Sequence, residues 1–270
     1  MAHLIYLWTT LAPLAAAALL VLALAVTVIE ATLLLSLLVA GGAGMETLPR
    51  DTVYATVMII TTGVVGLCTM IGGLTHREQS FRVDGAGGGL AALIVLAVVT
   101  LVLPDFTITT GVGTYSRGQS LFVAVVSAVL WGIFVFVQTI RHRDYFLPRG
   151  VVGIVVAMVV LLPETWAAIR AAYANRLQSS MNLAIGSALA TIGLTVPVVV
   201  FFANAYGLQL VLGLDPKDIV LLATALLVSV VTLGTGRTSM MQGAVHLVLF
   251  ATYLFLACVP RGGYHESRDE

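Results

Sequence analysis

Charge is what this sequence has least of. Of its 270 residues only 10% are Asp, Glu, Lys or Arg, where a soluble domain carries about 25%. So few charges cannot cover a water-facing surface of this size. The formal net charge is zero and Lys217 is the single lysine, so no basic face suggests nucleic acid. Cysteine is nearly as scarce. Cys68 and Cys258 both lie inside apolar runs and read as small packing residues rather than a disulfide or a metal pair. The N-terminus has no basic n-region and no A-x-A cleavage site, so no cleavable signal peptide is expected. Walker, dinucleotide-binding, HExxH and GxSxG motifs are all missing, and no nucleophile–base pair stands out. Neither an enzyme nor a cofactor is expected. The glycine run at 85–89 follows no strand, which leaves a phosphate-binding reading weak.

What the chain has is hydrophobicity. Apolar residues make up 59% of it, and the mean hydropathy is +1.04. A membrane-spanning helix needs about 20 apolar residues. Eight stretches qualify, at 14–41, 52–74, 88–104, 119–140, 150–173, 180–203, 217–234 and 240–259. Residues 4–12 are apolar but short, and Pro13 separates them from the first span. The runs are too long and too uniformly apolar for an outer-membrane barrel, and helices are the remaining way to satisfy backbone groups in lipid. The fold class expected is an all-α polytopic transmembrane helix bundle. The connections carry the charge, and the last ten residues, 261–270, read as a polar tail.

Two carboxylates interrupt this pattern. Glu30 lies within the apolar stretch 14–38, and Glu164 lies in the fifth span behind Pro163. A carboxylate at the bilayer centre costs at least about 2.5–3.5 kcal/mol on insertion scales. Burial disfavours its charged form, so such a group takes up a proton near neutral pH, or gives it up when a cation replaces it. Pro163 removes a backbone N–H and clashes with the carbonyl of residue 159. Freed carbonyls beside a carboxylate suit Ca²⁺ or Na⁺, which take oxygen ligands. The plainer readings are a helix-end glutamate and a proline kink without a ligand.

The two glutamates belong to an internal repeat. Thr27-Val28-Ile29-Glu30 matches Leu162-Pro163-Glu164. Each is followed by a short polar loop and a helix rich in small and hydroxyl residues. In the first half that helix offers Thr52, Thr56, Thr61, Thr62 and Gly63; in the second, Asn182, Gly186, Ser187, Thr191 and Thr195. Repeats of this kind are common in secondary transporters. The halves are 1–145 with Glu30 and 146–260 with Glu164. By repeat logic Thr56, Asn182, Ser187 and Thr191 are the best-placed further cation ligands, although such residues are also ordinary helix–helix contacts in membranes. Gly186-Ser187 is expected to let two helices approach closely. His246 is the one histidine inside a span, either a proton relay beside Glu30 and Glu164 or a packing residue. Arg237 is expected in a loop anchoring a helix end. Asp51 is expected at a helix start with Arg50 as partner.

At these residues the chain resembles the bacterial Ca²⁺/H⁺ antiporters of the ChaA type, within the Ca²⁺/cation antiporter superfamily. The stretches 25–38, 50–67, 138–147, 161–198 and 234–254 carry the likeness. It implies an inner-membrane exchanger with two inverted α-repeats and one essential acidic residue per repeat, here Glu30 and Glu164. The superfamily's Gly-Asn-x-x-Glu signature is replaced by Thr27-Val28-Ile29-Glu30 and Leu161-Leu162-Pro163-Glu164. The expected function is exchange of a cation, Ca²⁺ first, for H⁺. Na⁺ or K⁺ exchange for H⁺ on the same fold is the alternative, with a non-transporting membrane scaffold behind it. The partners implied are the lipid bilayer and inorganic cations, with homo-oligomerisation left open. Eight crossings, four per half, give both glutamate helices one direction, whereas an inverted repeat needs an odd number per half. One further crossing between Arg143 and Arg149 sorts Arg77, Arg82, Arg141, Arg143, Arg170, Arg176 and Arg237 to one side, and the arginines favour it.

Overall fold

The computed structural model describes residues 28–42, 44–81, 83–107, 110–137 and 162–258. Eight helices account for nearly all of them. Six are long and apolar enough to cross a membrane. In chain order, α1 is Val28–Ala40, α2 is Met45–His76 and α3 is Val83–Ala97, continued by a π-helical turn, Val98–Val102, and a 3₁₀ turn, Leu103–Phe106. Then come α4 Arg117–Phe136, α5 Leu162–Tyr173, α6 Leu177–Tyr206, α7 Pro216–Gly234 and α8 Met240–Cys258. Six of the eight apolar runs therefore reappear as helices long enough to cross, and the described parts of the other two, Val28–Ala40 and Leu162–Tyr173, are helical. The glycines at 85–89 lie inside α3, not in a phosphate-binding loop. Residues 4–12, the stretch 138–147 and the tail 261–270 fall outside the described residues.

Buried hydroxyls show how the spans satisfy their polar groups without water. Thr61, Thr69, Thr100 and Ser229 each donate to the carbonyl four residues earlier. Such back-bonding keeps a short polar side chain compatible with an apolar setting. Cys68 is buried and unpaired, as expected of a packing thiol.

Two small polar assemblies mark the two ends of the bundle. At one end β1 (Glu78–Ser80) pairs antiparallel with β2 (Arg237–Ser239), with Gln79 opposite Thr238. This is the strand face. Arg237 is thus part of a strand, not of a loop that anchors a helix; the pairing gives its backbone partners that a loop would lack. At the other end, the linker face, residues 208–215 run between α6 and α7. Gly207, at φ 68°, ends α6 in the left-handed conformation that glycine adopts without strain. The linker then hydrogen-bonds across the face. Val211 N–H donates to Glu46 O, and the Leu212 and Gly213 N–H groups both donate to Gly113 O.

These ends fix helix directions. The turn after α1 lies at the linker face, so α1 runs toward that face. The end of α5 lies at the strand face, where Gln79 Nε2 donates to Ala172 O at 2.8 Å and His76 Nε2 meets Tyr173 O at 2.8 Å. The helices bearing Glu30 and Glu164 therefore run in opposite directions. The direction that the eight-crossing count gave the Glu164 helix is corrected: α4 and α5 both run toward the strand face. Arg77, Arg176 and Arg237 gather at the strand face, and Arg50, Arg117 and Lys217 at the linker face, as the additional crossing requires.

Arg50 locks the linker face. It is buried, its Nε pairs with Asp51 Oδ1 at 2.8 Å, and its Nη1 donates to Gly213 O at 2.7 Å. Asp51 sits in the first turn of the α-helical part of α2, which opens at Leu48, where a carboxylate is favoured. Arg50→Gln should leave a buried carbonyl without its donor, at a cost of about 1–3 kcal/mol. Thermal unfolding of the purified protein in detergent reads this as a lowered midpoint, and an unchanged midpoint would remove the lock from the account.

Candidate functional site

Helix lengths place the two glutamates at one level before any side-chain contact is considered. Glu30 lies ten residues before Ala40, the linker-face end of α1, which is about 15 Å at 1.5 Å per residue. Glu164 lies nine residues before Tyr173, the strand-face end of α5, about 14 Å. The hydrocarbon core is about 30 Å thick. Entering from opposite faces, the two residues reach the same middle depth. Glu164 is placed here by its backbone in the first turn of α5; its side chain and the Pro163 ring lie outside what is described, as does residue 159.

At that depth the two long helices α2 and α6 change character. Each carries a π-helical turn, Ile59–Val64 in α2 and Thr191–Thr195 in α6. The sequences match: Thr61-Thr62-Gly63-Val64-Val65 against Thr191-Ile192-Gly193-Leu194-Thr195. A π turn replaces the four-residue hydrogen-bond step with a five-residue one and is frequent at functional sites. In α6, Pro197 follows directly and has no N–H to restore the regular ladder. The glycines admit close neighbours. Phe250 lies over Gly63 and Trp131 over Gly193.

Glu30 is half-buried, and its Oε2 accepts a hydrogen bond from Thr195 Oγ1 at 3.0 Å. The carboxylate of the first half is thus held by the π turn of the second. The converse packing is present: α5, the Glu164 helix, packs on α2 and touches its π turn. The clasps at the two faces are reciprocal in the same way. Residues 76–79 of the first half grip the end of α5, and residues 208–215 of the second half grip the turn after α1.

The remaining predicted residues divide. Thr56 and Ser187 lie at matching depths, eleven residues into α2 and ten into α6, about 15–17 Å from opposite faces. Both are half-buried, and the Thr56 hydroxyl donates to Thr52 O at 2.9 Å. Thr191 is buried within the π turn of α6. Asn182 sits only about 8 Å into α6, above this level, and its Oδ1 accepts from Gln178 Nε2 at 3.1 Å. His246 is fully buried on α8 against Gly66, with Nε2 at 3.1 Å from Thr232 Oγ1. Among the described residues no three His, Cys, Asp or Glu side chains converge on one point.

Among the described residues Gly186 meets no close neighbour. Nothing described lies within 4 Å of a side chain built there. The tight packing is in α2 and α8, where a Cβ on Gly73 would strike the backbone of Met240, and one on Gly243 the backbone of Met70. Thr195, in contrast, stood among the hydroxyls of its helix without being singled out. The signal for it was Gly193 and Pro197 around it, which together open a helix turn.

Comparison with known proteins agrees with this architecture. The family model described as sodium/calcium exchanger protein matches the chain twice, over residues 10–140 and 143–259. A Sinorhizobium fredii protein, y4hA, whose name carries the words ionic transporter, is 41% identical over 88% of this chain and 79% of its own length. The sodium-potassium/proton antiporter ChaA of Escherichia coli is 32% identical over 87% of this chain and 78% of its own length. The crystal structure of an H⁺/Ca²⁺ exchanger, CAX, shares the fold with a TM-score of 0.58 at 19% identity, covering 80% of this chain and 67% of that one. With opposed glutamate helices, paired π turns and a family match over both halves, the chain belongs to the sodium/calcium exchanger protein family of transmembrane cation antiporters.

Proposed function

We propose that this protein exchanges a cation for protons across the bacterial inner membrane, at a shared site built on Glu30 and Glu164. The observation that carries the reading is geometric. The helices bearing the two glutamates run in opposite directions, Glu30 accepts a hydrogen bond from Thr195 in the π turn of the second half, and α5 packs against the π turn of the first. Ca²⁺ bound by both carboxylates leaves no net charge, and neither do two protons. The empty site would hold two uncompensated charges at a depth where each is costly, so it should reorient only when loaded, which ties the two fluxes together. Thr56, Ser187 and Thr191 would add oxygens at this level. Asn182, nearer the strand face, would line the approach. His246, between Gly66 and Thr232, would hand protons toward the strand face.

Na⁺ or K⁺ is the second reading, and a specific observation favours it: the 32% identical relative is named as a sodium-potassium/proton antiporter. A monovalent ion neutralises one glutamate and needs one proton on the other. Everted vesicles with an imposed proton gradient separate the two. Adding Ca²⁺, Na⁺ or K⁺ in turn should dissipate the gradient, and the most effective ion names the cargo. If none does so despite correct insertion, the chain is a scaffold rather than an exchanger.

A further inference from the structure

The two halves match in one more place, the helix behind each π turn. Trp131 of α4 lies over Gly193, and Phe250 of α8 lies over Gly63. In sequence Ser127-Ala128-Val129-Leu130-Trp131 stands against His246-Leu247-Val248-Leu249-Phe250. Each half therefore backs the π turn of the other. The two contacts are unequal. A Cβ on Gly63 would meet only the ring edge of Phe250, at 3.2 Å, whereas one on Gly193 would run into the Cβ of Trp131. A ring can swing away; a Cβ moves only with its helix. The turns are unequal in the same sense. By alignment of the two turns, Thr195 stands where the first half has Val65, so the rigid contact lies behind the turn that carries the hydroxyl.

Gly193 and Thr195 are two residues apart, which is about half a helical turn. Trp131 thus presses on one side of the turn, while Thr195, 1% exposed, donates to Glu30 Oε2 on the other. The helix that carries Trp131 is itself fixed. α4 runs antiparallel to α6 and packs along it, and Asn204 Nδ2 donates to Ser120 Oγ at 3.0 Å. Trp131 lies eleven residues beyond Ser120, and Gly193 lies eleven residues before Asn204. The two contacts are therefore in register along one interface. We infer that Trp131 is a positioning residue: by backing Gly193 it fixes the rotation of the α6 π turn that points Thr195 at Glu30. A π turn closes its hydrogen bonds over five residues where the regular ladder uses four. Without a stop behind it the turn can slip toward the regular ladder, which rotates side chains by about 100° per residue and carries Thr195 off the carboxylate. Phe250 has no such part in the first half, where Val65 offers no donor. The inference rests on the exchange reading above.

The test is a double-variant cycle on the cation KM of exchange in everted vesicles, with whichever of Ca²⁺, Na⁺ and K⁺ the wild type moves fastest. Trp131→Ala and Thr195→Val should each raise KM about fivefold with kcat little changed, the loss of one hydrogen bond at the site. The double variant should be no worse than either single one, because both remove the same contact. Trp131→Phe keeps the Cβ and a ring and should retain the wild-type KM. Thermal unfolding in detergent reads the same cycle without transport: the midpoint of the double variant should equal that of Trp131→Ala alone. Should Trp131→Ala fail to insert, Gly193→Ala strikes Trp131 from the other side and takes its place in the cycle. Losses that add in either measurement, or a wild-type KM in Trp131→Ala, overturn the inference. A wild type that exchanges no cation for protons sinks the functional reading instead, and the unfolding cycle then decides this one.

Discussion

Replacing Glu30 or Glu164 with glutamine should abolish cation-dependent dissipation of a proton gradient in everted vesicles, down to the level of vesicles lacking the protein. Glutamine has nearly the same shape, so the bundle should still insert and fold. What it loses is the ability to alternate between a charged form that holds a cation and a neutral form that holds a proton. A serine or threonine ligand lost from the same site would weaken binding by a smaller factor, because a neutral oxygen contributes less than a charge. The two single variants should also be equally inactive, since a cation held by both carboxylates loses a charged ligand in either. If both retain wild-type dissipation, the site lies elsewhere.

The second large effect is structural. Gly73 of α2 and Gly243 of α8 each lie against the backbone of the other helix, and Gly66 and Gly63 continue the same line under His246 and Phe250. Small residues at helix interfaces let backbones approach closely, which is the main source of helix–helix affinity in lipid. A side chain at Gly73 or Gly243 has no flexible neighbour to displace, because the atoms it would meet are main chain. Overpacking costs about 1–3 kcal/mol where side chains can yield; against backbone the loss should reach the upper end of that range or pass it. Gly73→Val and Gly243→Val should therefore lower the unfolding midpoint sharply in detergent. Gly186→Ala, by contrast, should be neutral. Equal stability of all three variants would contradict the close packing of α2 against α8.

The comparison between Gly186 and Gly73 shows where reading a sequence stops. Spans were legible because each needs a long apolar run, and six of the eight runs reappear as membrane-length helices among the described residues. The glutamates were legible because a charge in such a run is costly. Which glycine meets a backbone was not legible, since small residues mark several faces and the sequence does not say which face another helix covers. The β1–β2 pair was missed for a related reason. Its strands are three residues each and lie 159 residues apart, too short for any alternation pattern. Helix direction lay between the two cases. The run count gave the wrong parity, yet the arginine distribution already pointed to the correct one. The π turns leave only a faint trace, the paired Thr-x-Gly stretches and Pro197, because they depend on which backbone hydrogen bonds form rather than on which side chains are apolar. Thr195 could be found only once that turn was seen to face Glu30.

Proton release on cation binding tests the shared site most directly. Purified protein in weakly buffered detergent near pH 6, given Ca²⁺ or the monovalent cation it transports, should release protons in step with binding. Glu30→Gln and Glu164→Gln should each lose that release. Release that persists undiminished in both variants would show that cation and proton do not share these carboxylates.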